Sequence, residues 1–534
     1  MRRALCAVCD EDEKEAVVAL TRTGPLEDRH RSTAAPAAVP VAPPALPRRR
    51  PDAGQWPRLT VLADPASGPD AAPAAADGPP RAPRTETALR AVHLEALLAD
   101  PRDAANPYGF QALAAGPRDG TDLVDAELRA AVRAELLPAA AGGNFTTPER
   151  LVRVLRPLLR RDLALGHGHA VRELPGTAAA GSKVTALLGP AALTAAAGTV
   201  LRGTVRLVAD RSPAGRSPAD PGIRRWRAPL AAVFADLLAC DSLVTVGLRA
   251  TELPRGSGAA IRAAAGYAVP LVVADALDEL GLVLDECGHP GAAAERRVLA
   301  KLRADLPVAG AGRADLAARQ ADLVRELPAL AAAFAQHRGP AGPPAATGCA
   351  LFRLGEDLPH RSPYPEAGGD QTLMFALTAA HDRFTRIAAA ADIGAGEPVT
   401  PALTRIAGRL LSEQRALVRK SRASGAADPA GPAVRALADR QALVLLAAAV
   451  LGVQGSTASA EELPEPAYDP AVRFLGAPHW ALLAAGRITE RLGIAPDGPG
   501  GPAAVEARER LWTELDSRDR WGADCDVHAT GVLW

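Results

Sequence analysis

Residues 224–330 decide the fold: RRWRAPLAAVFADLLACDSLVTVGLRATELPRGSGAAIRAAAGYAVPLVVADALDELGLVLDECGHPGAAAERRVLAKLRADLPVAGAGRADLAARQADLVRELPAL. In the first part Leu230, Val233, Phe234, Leu237, Val244 and Leu248 recur at three- and four-residue steps. That spacing places them on one face of an α-helix and leaves Arg and Asp for the opposite face. After the Pro254–Gly258 break, Val273, Leu277, Leu280 and Leu284 repeat the pattern, with a kink expected at Pro270. A third run carries Leu302, Leu306, Leu316 and Leu323, weakened in its middle by Gly310 and Gly312. Long amphipathic helices joined by short breaks bury their stripes only against one another, which predicts a bundle.

Outward from this core the same periodicity continues. TETALRAVHLEALLAD predicts a helix with Leu89, Val92, Leu97 and Leu98 inward, and DLVDAELRAAVRAELLP a second that stops at Pro138. Thr147-Pro148-Glu149 reads as a helix start, followed by a stripe of Leu151, Val154, Leu155 and Leu158. Beyond the GPAGPP break near Gly339, five further helices are expected, the last being AAVEARERLWTELDSR. The fold class is therefore all-α, since no convincing alternating run occurs and the best strand candidate, Leu59–Asp64, lies isolated. The expected division is a disordered Pro/Ala-rich tail over 1–85, a helical domain over 86–190, a helix bundle over 191–340 and an appended helical bundle over 341–534.

Charge and composition narrow the function classes. Sixty-one basic and 61 acidic residues cancel, so no basic excess exists to drive nucleic-acid binding. Ala442–Val453, the most apolar run, is twelve residues long, short of the ~20 needed for a bilayer, so it reads as a buried helix and no membrane span is expected. The six cysteines imply no disulfide framework, and a cytoplasmic setting is the default. Cys6-Ala-Val-Cys9 has metal spacing but no second pair nearby and reads as incidental. His167 and His169 stand two apart, so on a helix they point away from each other and make no metal pair. Glu149, Glu173, Glu413 and Arg415 read as solvated charges, and no P-loop, dinucleotide fingerprint, nucleophile elbow or zincin motif occurs.

The order of several stretches carries a resemblance. AAAGGNFTTPERLVRVLRPLLRRDLALGHGHAV, RGTVRLVADRSPAGRSPAD, the run from WRAPLAAVFADLL to LDECGHPG, and LRADLPVAGAGRADLAARQ follow one another as motifs do in the acyl-CoA dehydrogenase family. The chain resembles an atypical, actinobacterial-type branch of it, well over 87–330 and more loosely to Trp534. The resemblance implies an FAD-dependent oxidoreductase that desaturates an acyl-CoA or carrier-bound acyl thioester, and a homo-oligomer formed through the bundle. It places Arg211 where the family contacts the flavin phosphates. It places Gly288 in the turn that approaches the adenine half.

Three departures accompany it. Lys183 and Arg202 are 19 residues apart, too few for the family's middle barrel of strands at ~5–6 residues each. Ala311-Gly312-Arg313-Ala314 replaces the segment that carries the catalytic carboxylate, with Asp315 the nearest acid, so the catalytic residue is unassigned. Asp285 and Glu286 put two negative charges beside Gly288. The alternative is accordingly a catalytically inactive helical scaffold or subunit derived from that family.

Overall fold

The structure, a computed structural model, describes residues 86–115, 126–136, 147–173, 181–210, 221–253, 258–336, 350–355, 368–390, 398–423, 431–460, 470–494 and 501–534. All of them belong to one compact unit, Gly78–Trp534. In chain order the helices are α1 (Glu86–Leu98), α2 (Phe110–Ala115), α3 (Ala126–Leu136), α4 (Pro148–Arg161), α5 (Leu163–Glu173), α6 (Gly181–Asp210), α7 (Pro221–Ala250) and α8 (Ala259–Glu286). There follow α9 (Ala292–Asp305), α10 (Arg313–Gln336), α11 (Gly369–Ala390), α12 (Val399–Ala423), α13 (Pro432–Ala460), α14 (Pro470–Gly476), α15 (Pro478–Arg491) and α16 (Pro502–Trp521). No strand occurs among the described residues, whose single β-bridge joins Ala523 to Gly531. The expected all-α class holds, and Lys183 to Arg202 is one uninterrupted stretch of α6.

The centre is α6, α7 and α8, each packed on the other two. Around α7 also lie α4, α13, α15 and α16, so that helix is surrounded by protein on every side. Its predicted stripe is buried as expected, Leu230 and Phe234 completely. Its charged residues are buried too: Asp236, Asp241 and Arg249 are at most 4% exposed, which a one-sided amphipathic reading did not foresee. In α8 the stripe Val273, Leu277, Leu280 and Leu284 is buried, and the helix continues through Pro270. The third run breaks where its glycines predicted: a 3₁₀ turn at Leu306–Ala309 ends on Gly310 in the left-handed conformation. Thr147 caps α4 by accepting a hydrogen bond from the Arg150 amide.

In α1 the phase differs from the prediction. Ala91, Leu94, Glu95 and Leu98 face the core, while Leu89 is exposed. Glu95 is drawn inward by Arg160 and Arg161 of α4, and that pairing sets the helix rotation.

The expectation of no membrane span is overturned. Three helices are long and apolar enough to cross a membrane, Lys183–Asp210, Ile223–Ala250 and Pro432–Ala458, each with a mean hydropathy of 1.7 in its best window. Ala442–Val453 is only the middle of α13, whose C-terminal flank, QGSTASA, extends the helix without adding charge. Reading uninterrupted apolar runs instead of whole helices missed all three. In this fold 89%, 100% and 78% of those windows are covered by other helices.

Candidate functional site

A cavity of about 560 Å³ opens where α7, α12, α15 and α16 meet. Its walls are apolar: Ala232 from α7, Ile406 from α12, Leu482 and Leu483 from α15, and Ala503 from α16. The elements set it by their starts. Pro401 in the first turn of α12 and Pro502 in the first turn of α16 both line it. Proline is favoured in a first turn because the missing N–H would have had no partner there.

Charge enters this cavity from one sign more than the other. Arg405, Arg487 and Arg508 line it, against one carboxylate, Glu490. Arg487 is already committed: its Nε and Nη2 donate to Asp236 at 2.9 and 2.6 Å, and Nη2 also donates to Glu279 at 2.6 Å. Burial works against its charge, but Asp236 and Glu279 outweigh that and hold its pKa above the ordinary value. Arg508 supplies the charge that a ligand meets, since it has no ion-pair partner among the described residues. Neither Cys, His nor Asp lines the cavity.

A second constellation is fully internal. Arg156 of α4 donates from Nε to Asp524 at 2.8 Å and from Nη1 to Asp241 at 3.0 Å. Arg160 bonds Glu95 and reaches Asp524 at 3.3 Å. Asp241 comes from α7 and Glu95 from α1, and Asp524 from the segment after α16, where Gly522 ends the helix at φ +66°. Asp526 accepts from the Thr530 hydroxyl and amide, Asp241 accepts from the Val527 amide, and Arg518 donates to the carbonyls of Asp524 and Asp526.

Burial alone would raise the Asp526 carboxyl, yet Arg156 and the Thr530 hydrogen bonds win and its pKa falls below the usual range. His528 is pushed down to about 3 by burial and by Arg153, despite Glu149 nearby. It is therefore neutral at physiological pH. The Cys525 thiol is pushed up to about 12 by burial and Asp524, which removes it as a nucleophile. Arg156, Arg160, Asp241, Asp524 and Asp526 pair with charges inside the protein, so the cluster reads as a lock between α4, α7 and the 523–530 segment.

The residues singled out from the sequence lie elsewhere. Arg211 is outside the described residues. Gly288 sits at φ +63° on an exposed turn after α8, with Asp285 and Glu286 exposed beside it, and lines neither described cavity. Two carboxylates there repel a pyrophosphate, so the donor set around Gly288 does not fit a flavin dinucleotide. Asp315 is exposed at the start of α10. His169 is buried and His167 half-buried, and no group of His, Cys, Asp and Glu among the described residues could hold a metal. Glu149 is not solvated: it is 5% exposed, pairs with Arg249 and accepts from the Gly355 amide at 2.9 Å. Glu413 is half-buried against Arg440, whereas Arg415 is exposed as expected.

The sequence reading missed Arg405, Arg508 and Gly486 of the cavity. Their one visible signal was a glycine in the interior of the helical run HWALLAAGRITERLG. The chain matches no family model, no curated protein and no solved structure.

Proposed function

We propose that this chain is a helical binding protein for acyl thioesters, such as an acyl-CoA, which holds them without oxidising them. Its lineage is then the scaffold of the acyl-CoA dehydrogenase family, retained without the flavin-ring domain. One observation carries the reading: a cavity of about 560 Å³ with aliphatic walls and the arginines Arg405 and Arg508. That volume falls within the ~300–1,000 Å³ of ordinary small-molecule sites, which combine apolar walls with a few polar groups.

Magnitudes say which part of the ligand dominates. Each buried methylene contributes ~0.8 kcal/mol, so six contribute about 5 kcal/mol. A charge-assisted contact to the head contributes ~1.5–3 kcal/mol. The chain supplies affinity and the head supplies orientation.

The test is calorimetric titration of the full chain with octanoyl-CoA, octanoate and free coenzyme A, together with the visible absorbance of the purified protein. Saturable binding of octanoyl-CoA, much weaker binding of coenzyme A and a colourless sample are expected. A yellow sample with stoichiometric flavin would restore the oxidoreductase reading, and no heat with octanoyl-CoA would remove the acyl-binding one.

A further inference from the structure

Helical glycines in this protein mostly have a packing reason. A Cβ on Gly189 would stand 2.2 Å from the Ala309 carbonyl oxygen, and one on Gly452 would stand 2.5 Å from the Phe352 ring. A Cβ on Gly203 would meet a Glu295 oxygen at 2.3 Å. Gly486 differs. It lies in the interior of α15, yet its only neighbour within 4 Å of an added Cβ is Ile406 Cδ1, at 4.0 Å. A glycine weakens a helix interior relative to alanine, and no close approach compensates for it here. Gly168 has the same freedom, but only Gly486 lines the large cavity.

We infer that Gly486 determines ligand specificity: the space its missing side chain leaves, between α15 and Ile406, receives the distal end of the acyl chain and sets how long a chain is accepted. This rests on the acyl-binding reading above. The direction of the argument is geometric. Leu482 and Leu483 stand one turn before Gly486 on α15 and line the same cavity, so a chain lying along them reaches the glycine. Arg487 next to it is fixed by Asp236 and Glu279, so it does not swing into the gap. The ligand head is left to Arg508.

The experiment titrates wild type, Gly486→Ala and Gly486→Leu, as full chains, with butyryl-, octanoyl- and palmitoyl-CoA, and records the melting temperature of each. Gly486→Ala is expected to melt at or above the wild-type temperature. Gly486→Leu is expected to lose about tenfold or more in affinity for the long chains, the equivalent of about two lost methylene contacts, while butyryl-CoA is unaffected. If Gly486→Leu does not fold, the chain-length preference of Gly486→Ala decides: a shift toward the shorter acyl groups supports the inference, and an unchanged preference overturns it. Wild type that binds the acyl-CoAs, with Gly486→Leu binding them equally well, overturns this inference alone and leaves an incidental glycine. Wild type that binds none removes the acyl-binding reading and this inference together.

Discussion

Arg156 and Asp524 are 368 positions apart in the chain, and the Arg156 Nε donates a 2.8 Å hydrogen bond to the Asp524 carboxylate in the interior of the protein. Both side chains are at most 9% exposed. This contact ties a helix near the beginning of the described chain to the segment that follows the last helix.

Removing one partner of a buried pair leaves a charge without compensation. Asp524→Ala is expected to lower unfolding free energy by ~3–5 kcal/mol in a denaturant melt. Glu509→Ala removes a carboxylate that pairs with Arg227 at 2.9 Å but is 55% exposed, and should change stability by less than ~1 kcal/mol. Equal effects from the two variants would show that the internal cluster is not a lock.

The pH profile follows from His528 and Asp526. The His528 pKa is about 3 in the folded protein, against ~6.5 unfolded, so between these values the unfolded chain binds more protons. Its contribution is complete above ~6.5 and declines as pH falls toward about 3. Asp526, depressed when folded, contributes above its unfolded value of ~3.9 and loses that contribution as pH drops through its folded value. Asp241, raised by burial, works in the opposite direction over this range, so the His528 contribution is read from the difference: His528→Gln should lose less stability than the wild type between pH 7 and pH 4. An unchanged slope in the variant would place the sensitivity elsewhere.

Two glycine substitutions separate packing from space. Gly189→Ala drives a Cβ into the Ala309 carbonyl and should cost ~1–3 kcal/mol, because backbone must move. Gly486→Ala meets nothing closer than 4.0 Å and should stabilise by ~0.5–1 kcal/mol. Thermal melts of the two, side by side, check the sign of each.

Arg508 tests the charge at the cavity. Arg508→Glu should weaken octanoyl-CoA by the ~1.5–3 kcal/mol of a charge-assisted contact, with little change in melting temperature. Unaltered octanoyl-CoA affinity would remove Arg508 from the head-group site.

Cys525 should resist alkylation at neutral pH while the protein is folded, since it is 3% exposed and its thiol is pushed up to about 12. Site-resolved mass spectrometry, with and without denaturant, reads this directly. Rapid labelling of Cys525 in the native protein would mean that the 523–530 segment opens readily.

The sequence by itself determined the helices. Periodicity found the stripes of α7 and α8, Thr147 and Pro148 marked the start of α4, and Gly310 and Gly312 marked a break. These are local effects of spacing, capping and backbone freedom, and they need no knowledge of neighbours. Only the tertiary structure decided the fate of the polar faces. Arg156 and Arg160 stand opposite the leucines of α4, where a lone helix would meet water, yet they are buried beneath Asp524, 368 and 364 positions away. The rotation of α1, the burial of Glu149 and the cavity beside Gly486 have the same origin, in that each depends on which distant element packs there. A charge opposite an apolar stripe specifies a helix face but not its partner, because pairing energy exists only once the chain has brought the partner within a few ångströms.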